Sequence, residues 1–90
     1  ETCRIEQLDL ADNLLQRLDG IEQLTQLRFV DLRNNRIADQ RELLRLGKCK
    51  HLRRVCLQGN PFVNRELNGA VKELLERLNH DLSIKGNTHP

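Results

Sequence analysis

The stretch Ile5-Glu-Gln-Leu8-Asp-Leu10-Ala-Asp-Asn13 decides the fold of this chain. Its apolar skeleton and its asparagine return twice, in Leu27-Arg-Phe-Val30-Asp-Leu32-Arg-Asn-Asn35 and in Leu52-Arg-Arg-Val55-Cys-Leu57-Gln-Gly-Asn60. A fainter copy contains Leu82, Ile84 and Asn87. The four asparagines lie 22, 25 and 27 residues apart. A repeat of this length with fixed apolar positions is typical of a stacked-repeat protein.

Each repeat contains a predicted strand and a return segment. Leu8 and Leu10 alternate with polar residues, which is the period of a strand with one buried face. In the second repeat we expect Asp39 to cap a helical segment, with Glu42 completing a capping box and Gly47 ending it. In the third we expect Asn64 to cap a longer helix whose apolar stripe comprises Leu67, Val71, Leu74, Leu75 and Leu78.

The chain of 90 residues is long enough for one small domain. We expect repeats at about 5–26, 27–51 and 52–78, followed by a terminal strand at 81–87. Because the first repeat starts almost at once, we expect further repeats or a partner to cover the N-terminal edge, and a longer parent chain.

The composition disfavours several functional classes. No apolar run approaches the ~18 residues of a membrane span, and no charged-then-apolar segment at the start of this sequence resembles a signal peptide. The three cysteines lack the Cys-x-x-Cys spacing of zinc sites, and an odd number does not suggest a disulfide framework. The scattered histidines form no ligand set, and no motif for catalysis or phosphate binding occurs. We therefore expect no metal, no cofactor and no enzymatic activity.

The three motifs resemble the leucine-rich repeat family. The 22-residue interval is similar to its short subclass, found in phosphatase-1 regulatory subunits, an axonemal dynein light chain and a spliceosomal ribonucleoprotein subunit. The resemblance implies an α/β solenoid with a short parallel sheet on the concave side and helical or 3₁₀ segments on the convex side. We expect a cytoplasmic protein, with the nucleus or the cilium as alternatives. We expect structural roles for the loop asparagines Asn13, Asn35, Asn60 and Asn87, whose amides satisfy backbone groups at the turn.

Residues between the inward positions share the opposite face of the sheet. We expect three columns across the strands: Gln7, Phe29, Arg54 and Asp81; Asp9, Asp31, Cys56 and Ser83; and Ala11, Arg33, Gln58 and Lys85. Phe29 is the strongest candidate, because an exposed aromatic beside arginines has the composition of an interface hot spot. The alternative is that Phe29 bends over a neighbour, or that the first repeat is shifted by one residue.

We therefore predict a non-catalytic protein–protein interaction module. The partner-binding residues would be Gln7, Asp9, Phe29, Asp31, Arg33, Arg54, Cys56 and Gln58. Asp9 and Asp31 would lie side by side, and their repulsion suggests a basic residue on the partner.

A basic cluster gives the alternative function of RNA or ribonucleoprotein binding. It runs from Lys48 to Arg54, with Arg45 beside it. Nearby acidic residues and the absence of stacking aromatics weaken this interpretation, and a solvated convex face is the simpler one. We expect no membrane partner.

Overall fold

Four short parallel strands, in chain order, form the sheet of this protein. The computed structural model describes residues 4–81. The strands are β1 (Gln7–Asp9), β2 (Phe29–Asp31), β3 (Arg54–Cys56) and β4 (Asn79–Asp81), and they lie in the order β1-β2-β3-β4. Backbone hydrogen bonds continue the pairing beyond the strands, for example from Leu10 N–H to Asp31 O at 2.9 Å and from Leu32 N–H to Cys56 O at 2.9 Å.

The segments that join the strands are mostly 3₁₀ helices, as predicted for the return segments. They are Ile21–Gln23, Gln40–Lys48 and Pro61–Asn64, and an α-helix, α1 (Gly69–Arg77), precedes β4. The second interval between asparagines exceeds the first by three residues, and its 3₁₀ helix, called the long 3₁₀ helix below, has nine residues instead of three. The added residues therefore extend the return segment and leave the strand unchanged.

The core lies between the sheet and the return segments. Val30, Leu32, Val55 and Leu57 are completely buried, as their alternation predicts. Residues from the return segments complete this core, among them Leu27, Ile37, Leu43, Leu46, Phe62, Val71 and Leu75. The first repeat is less covered: Leu8 and Leu10 are half-buried, and Leu14 is 67% exposed.

The loop asparagines bond to backbone groups of adjacent repeats. Asn35 accepts from Leu15 N–H at 3.0 Å and donates to Leu10 O at 2.9 Å. Asn60 repeats this pattern one repeat later, accepting from Ile37 N–H at 3.1 Å and donating to Leu32 O at 2.8 Å. Both amides therefore join two repeats.

Asn13 differs from these two asparagines, because it donates to Leu10 O and Ala11 O within its own repeat and is exposed. Asn87 lies outside the described residues.

The residue before each described loop asparagine has a left-handed backbone conformation. The φ angles are 61° at Asp12, 58° at Asn34 and 84° at Gly59. Asn34 Nδ2 donates to Asp12 Oδ1 at 2.8 Å, which joins the first two loops. At Gly59 an added Cβ would meet the Asn34 side chain and would lie 3.0 Å from its backbone nitrogen. The third loop therefore has no room for a side chain at this position.

One predicted helix cap differs from the observed one. The α-helix begins after Asn68, whose side chain accepts from Val71 N–H at 3.0 Å, so the prediction of Asn64 as its cap is wrong. The intervening segment is held extended by Gln40, which donates to Glu66 O at 2.9 Å and accepts from Asn68 N–H at 2.6 Å. A side chain from another repeat therefore displaces the helix start by four residues.

The predicted capping box of the long 3₁₀ helix is only half present. Asp39 accepts from Arg41 N–H at 2.9 Å, as a cap should. Glu42 accepts instead from Leu18 N–H at 2.8 Å, which joins this helix to the first repeat. Gly47 lies inside the helix, one residue before its end at Lys48, so the predicted stop is early by one residue.

The last strand has a different register from the one predicted. Asn79 pairs with Arg54, and Asp81 pairs with Cys56, so the placement of Asp81 beside Arg54 is wrong by two residues. The chain joins the sheet directly after Leu78, because no loop separates α1 from β4. The remainder of the predicted terminal strand, including Ser83 and Lys85, lies outside the described residues.

Candidate protein-interaction surface

The strands bring the predicted partner-binding residues together on one side of the sheet. Gln7 pairs with Phe29 and Phe29 with Arg54, while Asp9 pairs with Asp31 and Asp31 with Cys56. Beyond the strands, hydrogen bonds from Asp12 N–H to Arg33 O at 2.9 Å and from Asn34 N–H to Gln58 O at 3.0 Å extend this register to the third column. We call this surface the strand face, and its members are Gln7, Asp9, Ala11, Phe29, Asp31, Arg33, Arg54, Cys56 and Gln58.

Phe29 and Arg54 form a stacked pair at the centre of the strand face. The carbon of the Arg54 guanidinium lies 5.7 Å from the centroid of the Phe29 ring, within the range of a cation–π interaction. Phe29 is half-buried and is not part of the hydrophobic core, whereas Arg54 is exposed. The pair presents an aromatic surface and a guanidinium held in one orientation.

Asp31 is neutralised by an arginine two residues along the chain. Arg33 Nε donates to Asp31 Oδ1 at 2.8 Å, and Arg33 Nη2 donates to Asp31 Oδ2 at 2.7 Å. Asp31 is only 6% exposed, and these hydrogen bonds from Arg33 lower the pKa of its carboxyl group despite the opposing effect of burial. Asp31 therefore needs no basic residue from a partner, and that part of the prediction is corrected.

Asp9 occupies the equivalent position in β1 without a cation. Its Oδ1 accepts from Ala11 N–H at 3.0 Å, as Asp31 Oδ1 accepts from Arg33 N–H at 3.2 Å. Ala11 stands where the second repeat has arginine, and Asp9 has no ion pair with a side chain in the range 4–78. Asp9 is exposed and offers an unneutralised carboxylate at the first strand.

Cys56 and Gln58 offer less contact surface than predicted. Cys56 is 6% exposed and lies in β3, between the neighbouring strands β2 and β4. Gln58 is half-buried, and its Oε1 atom is buried without a hydrogen-bond partner among the described residues. These two residues form part of the floor between the more prominent side chains.

The predicted basic cluster divides into three parts. Arg45 binds three carboxylates, with nitrogen–oxygen distances of 3.5 Å to Asp19, 3.0 Å to Glu22 and 3.0 Å to Glu42. Hydrogen bonding to Glu42 is the main cause of its raised pKa. Arg54 belongs to the strand face. Sequence analysis placed acidic residues near this cluster, but residue spacing does not specify which acidic side chain reaches each arginine.

The third part lines a groove between the long 3₁₀ helix and α1. Its volume is about 680 Å³, and its lining includes Lys50, His51 and Arg53. Arg77, the last residue of α1, completes this lining. The sequence does not specify how α1 is oriented. It therefore does not indicate that Arg77 lies near Arg53, which is 24 residues earlier in the chain.

Two further properties concern the described part of the chain. Within residues 4–81, no three histidine, cysteine or acidic side chains are grouped so that they could hold a metal ion. No helix in the same range has the length and apolar character needed to cross a membrane.

Comparison with known proteins identifies the repeat. Residues 3–45 match a family described as "Leucine Rich repeats (2 copies)". Over these residues the chain belongs to the leucine-rich repeat family. It is 40% identical over 60 residues to the U2 small nuclear ribonucleoprotein A′ of Mycosarcoma maydis, an alignment that covers 64% of this chain and 24% of that protein. This relative supports the predicted spliceosomal-type subclass of short leucine-rich repeats.

Other relatives that contain similar repeats differ in their names and lengths. The chain is 38% identical over 74 residues to the geranylgeranyl transferase type-2 subunit alpha of Mus musculus, covering 82% of this chain and 13% of that subunit. It is 44% identical over 55 residues to the human serine/threonine-protein kinase 11-interacting protein, covering 61% of this chain and 5% of that protein. This chain therefore spans only a small part of each of these relatives.

Proposed function

We propose that this chain is a non-catalytic module that binds another protein through the strand face, as the concave side of a leucine-rich-repeat solenoid. The sheet places side chains from three consecutive repeats in contiguous columns. Leucine-rich repeats mediate protein interactions, and the relatives include a ribonucleoprotein component and an enzyme subunit. The predicted repeat boundaries at 5–26, 27–51 and 52–78, and a longer parent chain, are part of this proposal.

The stacked pair of Phe29 and Arg54 is the observation that carries the proposal. Arg54 has no ion pair with a side chain in the range 4–78, and its position over the ring reduces its freedom before a partner arrives. Aromatic and arginine side chains are enriched among the residues that dominate binding energies. Preorganisation lowers the entropy lost on association.

Phe29→Ala tests this proposal. We expect capture of the partner protein to weaken by about 2 kcal/mol or more, because the variant loses the aromatic surface and the support of Arg54. The matched control is Leu44→Ala, which removes a 39% exposed apolar side chain from the long 3₁₀ helix. Quantitative pull-down from a lysate identifies proteins retained by the wild type and the control, and titration with the purified partner gives each Kd.

Thermal melting of both variants separates binding from folding. We expect Phe29→Ala to keep most of its stability, since the ring lies outside the core. Equal partner affinity for the wild type and a folded Phe29→Ala variant would remove the strand face from consideration.

The second candidate function is ribonucleoprotein binding through the Lys48–Arg54 cluster. A protein with this function would act in the nucleus and not in the predicted cytoplasm. It is favoured by the similarity to a small nuclear ribonucleoprotein subunit. It is disfavoured by the division of the cluster into separate surfaces. Titration with single-stranded RNA distinguishes the two candidates, because contacts to phosphates make the affinity fall steeply as salt concentration rises.

A further inference from the structure

The groove beneath the sheet has a positively charged rim. It lies where β3 and β4 begin, between the end of the long 3₁₀ helix and the last turn of α1. Lys50, His51, Arg53 and Arg77 line it, and all four are exposed. We call this feature the basic groove.

The charge of the basic groove is not neutralised within the described chain. None of the residues that line it is aspartate or glutamate. Lys50, Arg53 and Arg77 form no ion pair with a side chain in the range 4–78. This contrasts with Arg33 and Arg45, whose guanidinium groups are held by carboxylates at 3.0 Å or less. Three cations around one groove therefore favour an anionic ligand.

The floor of the basic groove is aliphatic. Leu46, Leu52 and Leu74 lie beneath the cations and are nearly buried, and the half-buried Leu78 borders them. The lining includes no phenylalanine, tyrosine or tryptophan, and the imidazole of His51 is the single aromatic ring among the described lining residues. Binding of single-stranded nucleic acid commonly uses aromatic rings on which bases stack, so the lining suits a peptide better than RNA.

We propose that the basic groove binds an acidic segment of a partner protein, with carboxylates on the rim and an aliphatic side chain against the leucines. Charge complementarity between the rim and the acidic segment supports this assignment, which does not depend on the strand face. Alternation places Arg54 on the strand face, stacked on Phe29, while Arg53 lies on the side of Leu74. The two surfaces can therefore be tested separately.

The test uses the whole chain and a fluorescein-labelled peptide of alternating glutamate and leucine. A matched peptide with glutamine in place of glutamate is the probe control. The groove variant combines Arg53→Glu with Arg77→Glu. The protein control combines Arg36→Glu with Lys72→Glu, which reverses two exposed charges that do not line the groove. Both variants change the net charge from +2 to −2, so non-specific electrostatic effects are matched.

We expect the acidic peptide to bind the wild type, and the groove variant to bind it at least about tenfold more weakly, because two attractive charges become repulsive. The protein control should retain most of the affinity, and the glutamine peptide should bind weakly to all three proteins. Circular dichroism shows whether the variants are folded. If the groove variant is unfolded, Arg53→Gln with Arg77→Gln replaces it and is expected to weaken binding by a smaller factor.

Three outcomes would overturn the proposal. The first is absence of binding of the acidic peptide to the wild type. The second is equal loss of affinity in the groove variant and the protein control, which would indicate a general charge effect. The third is tighter binding of a single-stranded oligoribonucleotide, lost only in the groove variant, which would assign the groove to nucleic acid. Unchanged binding of this peptide by Phe29→Ala separates the result from the strand-face proposal.

Discussion

Asp31 is a carboxylate that the fold buries beside its own counter-ion. The bidentate hydrogen bonds from Arg33 make the ionised form more favourable than it is in the unfolded chain. The ionised pair therefore contributes stability that is fully present above the unfolded pKa of about 3.9. This contribution is lost as the pH falls toward the lower pKa of the folded state.

Arg33→Met should reveal this linkage in the pH dependence of stability. At pH 7 we expect the free energy of unfolding to fall by about 1–2 kcal/mol, because a buried carboxylate loses its donors. The difference from wild type should shrink below about pH 4, where Asp31 becomes protonated on unfolding. Urea titrations at several pH values measure this. The control Arg41→Met removes an exposed ion pair with Asp39 and should lower the free energy of unfolding by a smaller amount. A loss of stability in Arg33→Met that does not vary with pH would contradict the explanation.

At the scale of the element, a contact from a neighbouring repeat determines the residue at which helix α1 begins. Asn64 and Asn68 are both good capping residues, and the apolar stripe alone does not distinguish them. Gln40 does distinguish them, because it bonds to Glu66 O and Asn68 N–H and keeps the chain extended between the two asparagines. The helix start is thus determined by a contact between residues 28 positions apart.

Asn68→Ala should cost about 1 kcal/mol of stability, the usual effect of losing a helix cap. Asn64→Ala, at the end of the preceding 3₁₀ helix, has no capping hydrogen bond to lose and should change stability much less. Urea unfolding of the two variants provides the comparison, and a larger loss for Asn64→Ala would refute the observed cap.

At the scale of the whole molecule, the loop asparagines connect the repeats. Leu32 O accepts from Asn35 Nδ2 at 3.0 Å and from Asn60 Nδ2 at 2.8 Å, so one carbonyl group links two loops. Asn60 is 1% exposed, whereas Asn13 is exposed and bonds only within its own repeat. The same residue at the same repeat position therefore has different energetic importance along the chain.

Asn60→Ala should destabilise the protein by about 2–4 kcal/mol, because Ile37 N–H and Leu57 O are left buried without their amide partner. Asn13→Ala should cost less than about 1 kcal/mol, since water can reach the carbonyl groups it leaves. Chemical denaturation with fitted m-values measures both. Similar losses in the two variants would show that contacts between repeats are not the source of the effect.

The sequence predicted the parts of the molecule that depend on repetition. The apolar spacing correctly predicted the register of β1 to β3 and the buried positions of Val30 and Leu32. It did not predict the register of β4, where the repeat pattern is degraded. Nor could it predict that Arg33 neutralises Asp31, or that Arg77 joins Arg53 around a groove. Those features depend on rotamers and helix packing, which residue spacing does not specify.

The close approach of Gly59 to Asn34 makes the two loops one steric unit. A side chain at position 59 would occupy space that Asn34 already fills, and its backbone would keep a φ angle of +84° that favours glycine. The residue allowed in one repeat is therefore determined by the repeat before it. Anyone who rearranges these repeats in a designed array must transfer Asn34 and Gly59 together, or choose a smaller residue than asparagine on the preceding loop.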